Sequence, residues 1–100
     1  MAADDTTTRE ITARKPIHPG EILRDELAVR GISAMVLADT IDLQPRVLFQ
    51  VLEGNRCLSP DLALRLGRYF GMSSDFWMNL QRAYELDLAR AQPSIVGVIR

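Results

Sequence analysis

The stretch that most restricts how this chain can fold is AMVLADTIDLQPRVLFQVLE, residues 34–53. Its apolar positions fit two short helices joined by a tight turn. Helices that cross this closely need a small residue at the contact, and Ala38 supplies it. Four residues later the turn requires positive φ, and Asp42 belongs to one of the few non-glycine types that reach it cheaply. Leu43, Leu48 and Val51 point back toward a core. Pro45 falls at the first position of the second helix, where its missing N–H costs nothing, and it holds Gln44 outside the helix. The pattern is that of a helix-turn-helix. It leaves Gln44, Arg46, Phe49, Gln50 and Glu53 outward, with Asn55 and Arg56 just beyond. A glutamine can pair bidentately with adenine in the major groove, an arginine with guanine, and Phe49 can meet a thymine methyl. Ser33 and the N–H groups that open the first of the two helices suit a phosphate. Spacing alone equally admits a plain helical hairpin in an all-α domain. Val47 and Phe49, apolar on or near the outward face, fit a protein contact as well as a base.

The flanking sequence extends the all-α reading to five helices. Residues 1–16, polar and rich in Thr and Asp, read as a flexible arm. Residues 17–92 form the domain. Pro19-Gly20 opens a helix over residues 20–29, with Ile22, Leu23 and Leu27 as its apolar stripe and Arg24, Asp25 and Arg30 facing water; Gly31 ends it. Ser33 caps the second helix, residues 33–41, and the third spans residues 45–53, ahead of Gly54-Asn55. Ser59-Pro60-Asp61 combines cap, proline and acid to start a fourth helix that runs to Phe70, with Leu62, Ala63, Leu66 and Phe70 on one face. Ser74-Asp75 starts a fifth that reaches Ala91, with Phe76, Trp77, Leu80, Tyr84 and Leu88 inward. Residues 93–100 form a short tail, whose Ile95-Val96-Gly97-Val98-Ile99 is β-branched and apolar; a strand pairing with a partner and a frayed end both fit it.

Composition narrows the function by exclusion. The chain has 100 residues, 47% of them hydrophobic and 25% charged, which suits one folded domain rather than a disordered chain. One cysteine, Cys57, permits no internal disulfide; a small, partly covered role in a reducing, cytoplasmic setting is expected of it. One histidine, His18, can build neither a metal site nor a catalytic triad, and its place suggests a local role at the start of the first helix. No apolar run approaches the ~18 residues of a membrane span, and the first 15 residues lack the apolar segment of a secretory signal. No phosphate loop, carboxylate pair or activated nucleophile is present, so no enzyme, cofactor or metal is expected. The net charge of −1 is low for a nucleic-acid partner. Arg46 and Arg56 must therefore form a local basic patch on a body made acidic by Glu21, Asp25, Glu26, Glu85 and Asp87.

Three blocks carry a resemblance. His18-Pro19-Gly20-Glu21-Ile22-Leu23-Arg24, then Ser59-Pro60-Asp61-Leu62-Ala63-Leu64-Arg65-Leu66, then Phe76-Trp77-Met78-Asn79-Leu80-Gln81 resemble, in that order, the HigA-type antitoxins of the Xre/Cro helix-turn-helix group. Leu37-Ala38, Gly54-Asn55-Arg56, Tyr69-Phe70-Gly71 and Tyr84-Glu85-Leu86 continue it, so that it covers residues 18 to about 90. The resemblance implies a λ-repressor-like bundle of five helices acting as a homodimer. It also implies a partner toxin, HigB, related to the RelE ribonucleases, and repression of the protein's own operon at an inverted-repeat operator. Phe76, Trp77, Leu80 and Tyr84 are then expected at core and dimer seam. The sequence departs from the family pattern in having Asp42 where many relatives have a turn glycine, Val47 and Phe49 in a helix that is often more polar, and Asn55 where lysine is common. Two other readings stand beside this one: a stand-alone regulator, and a toxin-binding protein whose helix-turn-helix no longer reads DNA.

Overall fold

A computed structural model describes residues 15–91. Most of the expected arm and the whole of the expected tail lie outside the described residues. Five helices follow in order: α1 (Pro19–Arg30), α2 (Ala34–Thr40), α3 (Pro45–Leu52), α4 (Pro60–Phe70) and α5 (Ser74–Arg90). The ends fall within a residue or two of those read from caps and breakers. Ser33, Ser59 and Ser73 cap α2, α4 and α5 by accepting hydrogen bonds from main-chain N–H groups of the first turn. Gly31 and Gly71 close α1 and α4 in the left-handed conformation. Asp42 takes the positive φ (57°) that the α2–α3 turn demands.

The core is one cluster. Leu23 and Leu27 of α1, Leu37 and Ala38 of α2, and Leu48, Val51 and Leu52 of α3 meet Leu62, Ala63, Leu66 and Phe70 of α4 and Trp77 of α5. Leu43 and Ile22 are only partly covered against it. The α4–α5 hairpin packs so tightly that a Cβ on Gly67 would lie 2.7 Å from the carbonyl oxygen of Met72.

The fifth helix departs from its expected stripe. Trp77 and Gln81 are its only fully buried residues, while Phe76 and Leu88 stay exposed. Residues four apart share a helix face, and Trp77 with Gln81 define the one that meets α4 and the loop after α3. The glutamine is buried because it serves the main chain: its Oε1 accepts from Leu58 N–H at 2.9 Å and its Nε2 donates to Glu85 at 3.0 Å. Cys57 is exposed, not partly covered, since Leu58 next to it takes the inward position.

Candidate nucleic-acid interface

The inward positions of α3 are Leu48, Val51 and Leu52. At about 100° per residue this sets Arg46, Gln50 and Glu53 on the opposite side and Phe49 on a flank. The structure agrees: Gln44, Arg46 and Glu53 are exposed and Gln50 is half-covered. Gln44 is the N-cap of α3 but makes no side-chain capping bond, so its amide is free for another partner. Phe49 is 39% exposed and leans over a groove lined by Arg24, Leu27, Ile32 and Ala34. It is a shoulder between α3 and the α1–α2 corner rather than the centre of the outward face.

The loop after α3 folds back onto that face. Gly54 turns the chain at φ 80°, Asn55 N–H then donates to the Gln50 carbonyl at 2.8 Å, and Arg56 Nε donates to Gln50 Oε1 at 2.7 Å. Gln50 and Arg56 are therefore one unit, in which an arginine orients an amide. Asn55 Nδ2 reaches Glu53 Oε1 at 3.4 Å. Ser33 stands apart from this cluster, on α2, where its Oγ accepts from Val36 N–H at 3.2 Å; its own hydroxyl proton remains available.

Two arginines outside the outward face hold α3 in place. Arg65 of α4 donates through Nη1 to the carbonyls of Ile41 and Asp42, at 2.6 and 2.7 Å, while its Nε pairs with Asp61 at 3.0 Å. It clamps the turn that leads into α3. Arg24 was expected to face water; instead its Nη2 donates to the Leu52 carbonyl at 2.8 Å and closes the other end of α3. These bonds join residues 23 to 28 positions apart, so no local pattern could announce them.

The expected seam residues divide. Trp77 is fully buried within its own chain, with Phe76 edge-on at 5.2 Å, so it is a core residue and not a surface one. Tyr84 is half-covered and packs edge-on against His18 at 4.8 Å. Leu80 is partly buried against the core, and Phe76 offers the most open surface, 40% of it exposed. Among the described residues no group of three or more His, Cys, Asp or Glu is placed to hold a metal ion, and no helix is long and apolar enough to cross a membrane.

A buried alanine at the crossing, a left-handed turn residue and a second helix with one polar outward face define a helix-turn-helix domain. No family model matches the chain. Individual proteins do. It is 47% identical to an antitoxin HigA of Pseudomonas aeruginosa solved with the higBA promoter, over 77% of this chain and 85% of that one, with a TM-score of 0.74. It is 42% identical to an addiction module antidote protein of a HigA family from Coxiella burnetii, over 75% of this chain and 83% of that one, with a TM-score of 0.72. The virulence-associated protein I of Dichelobacter nodosus is 40% identical over 83% of this chain and 78% of its own length. The chain belongs to the HigA family of antitoxins.

Proposed function

We propose that this chain is the DNA-binding antitoxin of a toxin–antitoxin pair and represses its own operon as a symmetric dimer. Two α3 helices related by a two-fold axis would enter successive major grooves of an inverted repeat, about 34 Å apart. Gln44, Arg46 and the oriented Gln50 would meet base edges. Ser33, Asn55 and Arg56 would hold the flanking phosphates, with Glu53 at the edge of the same face and Phe49 against a thymine methyl at its shoulder. Phe76, Leu80 and Tyr84 of α5 would lie at or beside the dimer seam, Trp77 holding Phe76 from beneath. The partner protein is a RelE-like ribonuclease toxin; the chain itself is no enzyme and acts in the cytoplasm, where its operator is. The observation that carries this reading is the Gln50–Arg56 pair, built on the outward face of a helix clamped at both ends.

The test is a mobility shift with DNA from upstream of the protein's own gene. Binding should weaken steeply with salt. Arg46→Ala should weaken it by about 1–3 kcal/mol if Arg46 reads a base, and should relax specificity at that base. No shift at low salt overturns the DNA half of the proposal. Co-purification with a small basic protein encoded beside it supports the toxin half, and its absence favours a stand-alone regulator.

A further inference from the structure

His18 is the one histidine of the chain, and it is 95% buried, leaving only 5% exposed. Capping α1 explains half of its contacts. Its Nδ1 accepts from Gly20 N–H at 2.9 Å, and Glu21 of the same turn reaches back to His18 N–H at 3.4 Å. An accepting Nδ1 carries no proton, so Nε2 is the donor of the neutral ring. The other half lies far away in sequence. The main chain of Arg56 lies beside the ring, close enough to favour its charged form. It also lies under Gly54, where a Cβ would meet a ring carbon at 3.8 Å, and Tyr84 packs against it edge-on. His18 thus packs beneath the start of the 54–56 turn, and that turn delivers Arg56 to Gln50.

We propose that His18 is a positioning residue for DNA reading, holding the 54–56 turn so that Arg56 stays locked on the Gln50 amide. The proposal rests on the DNA-reading role argued above. Arg56 occupies one lone pair of Gln50 Oε1, leaving Nε2 and the second lone pair for a base edge. A turn free to move would let Arg56 leave and the amide rotate, which costs affinity and specificity together.

His18→Asn separates the two halves of the contact set. Asparagine is a good N-cap, so α1 keeps an acceptor, but its short amide cannot fill the space the ring occupies beneath Gly54. In the free wild-type protein the Arg56 Nε–H should give one slowly exchanging resonance, and in His18→Asn that protection should be lost. Operator affinity should fall roughly tenfold in either His18→Asn or Arg56→Ala, and combining the two should cost little more than one alone, as coupled residues do. An unchanged Arg56 signal or additive losses overturn the proposal. A second measurement needs no variant: the wild-type ring should be the Nε2–H tautomer, as the Gly20 bond to Nδ1 requires, and an Nδ1–H tautomer overturns the placement of the ring on which the proposal stands. A wild-type chain that binds no operator sinks the DNA-reading role alone, because the Arg56 and ring signals are read without DNA.

Discussion

The hairpins α2–α3 and α4–α5 are built from similar parts: an apolar inner stripe, a serine at the outer start and one left-handed residue in the turn. They differ in how much each can do for itself. Helices α4 and α5 have 11 and 17 residues, serine caps, an acid in each first turn and an arginine in each last turn. Helices α2 and α3 have 7 and 8 residues, no such charges at their ends, and α3 lacks a side-chain cap. At 7 and 8 residues, α2 and α3 fall far short of the ~12–15 at which isolated helices become even marginally stable in water, so the helix-turn-helix borrows its order. Arg65 supplies it at the turn, and Arg24 with the backbone contact at Gly20 supplies it at the far end of α3. The helix-turn-helix, the surface proposed to face DNA, is thus the part of the domain least able to hold its own shape, and side chains outside it set its geometry.

The sharpest way to break this contrast is Gly20→Ala. The added Cβ would overlap the Val51 carbonyl oxygen, and the backbone on both sides cannot give as a flexible side chain can. A loss of about 3 kcal/mol is expected, at the upper end of overpacking effects, measured by urea unfolding. An unchanged midpoint would mean that α3 does not depend on α1 for its seating. Next in size is Arg65→Met. It keeps the stem and removes the bonds to Ile41 and Asp42, which should lower stability by about 1.5–3 kcal/mol and weaken operator binding besides. Should stability fall while affinity holds, Arg65 would be a strut of α4 and not a clamp on the reading element.

The smallest effect concerns His18. Burial lowers its pKa from the ordinary 6.5, while the nearby Arg56 main chain and the charge of Glu21 pull the other way. Among the described residues, Glu21 of α1 and Tyr84 of α5 bring titratable side chains to the ring, while Arg56 of the loop approaches it through its main chain. In the unfolded chain the ring takes up a proton at a higher pH than in the folded one. Stability from this group is therefore complete above pH 6.5 and declines as the pH falls below it toward the folded value. Unfolding measured in steps between about pH 7.5 and 5 should show that slope, and His18→Asn should flatten it. A slope that survives the substitution would place its origin elsewhere.

Much of the site could be read before the fold was known. Ala38, Asp42 and Pro45 announce the hairpin because each meets a local demand: a close crossing, a positive φ, a helix start. The outward set Gln44, Arg46 and Glu53 follows from the helical period alone. Phe49 needed the structure, since a flank position becomes a shoulder only once α1 and α2 are packed beside it. Gln81 needed it too, as did the exposure of Phe76 and Leu88. Periodicity marked a broad apolar stripe on α5, but which face turns inward depends on where α4 and Leu58 lie.

By itself, then, the sequence determined five helices, their ends, and the element that carries the outward polar face. Caps, prolines, glycines and apolar spacing act within a few residues, and their physics does not wait for tertiary contacts. Only the tertiary structure decided how that element is held. Arg24 and Arg65 act across 23 to 28 residues of chain and His18 packs under the distant Gly54, and such contacts leave no periodic trace in the residues that make them.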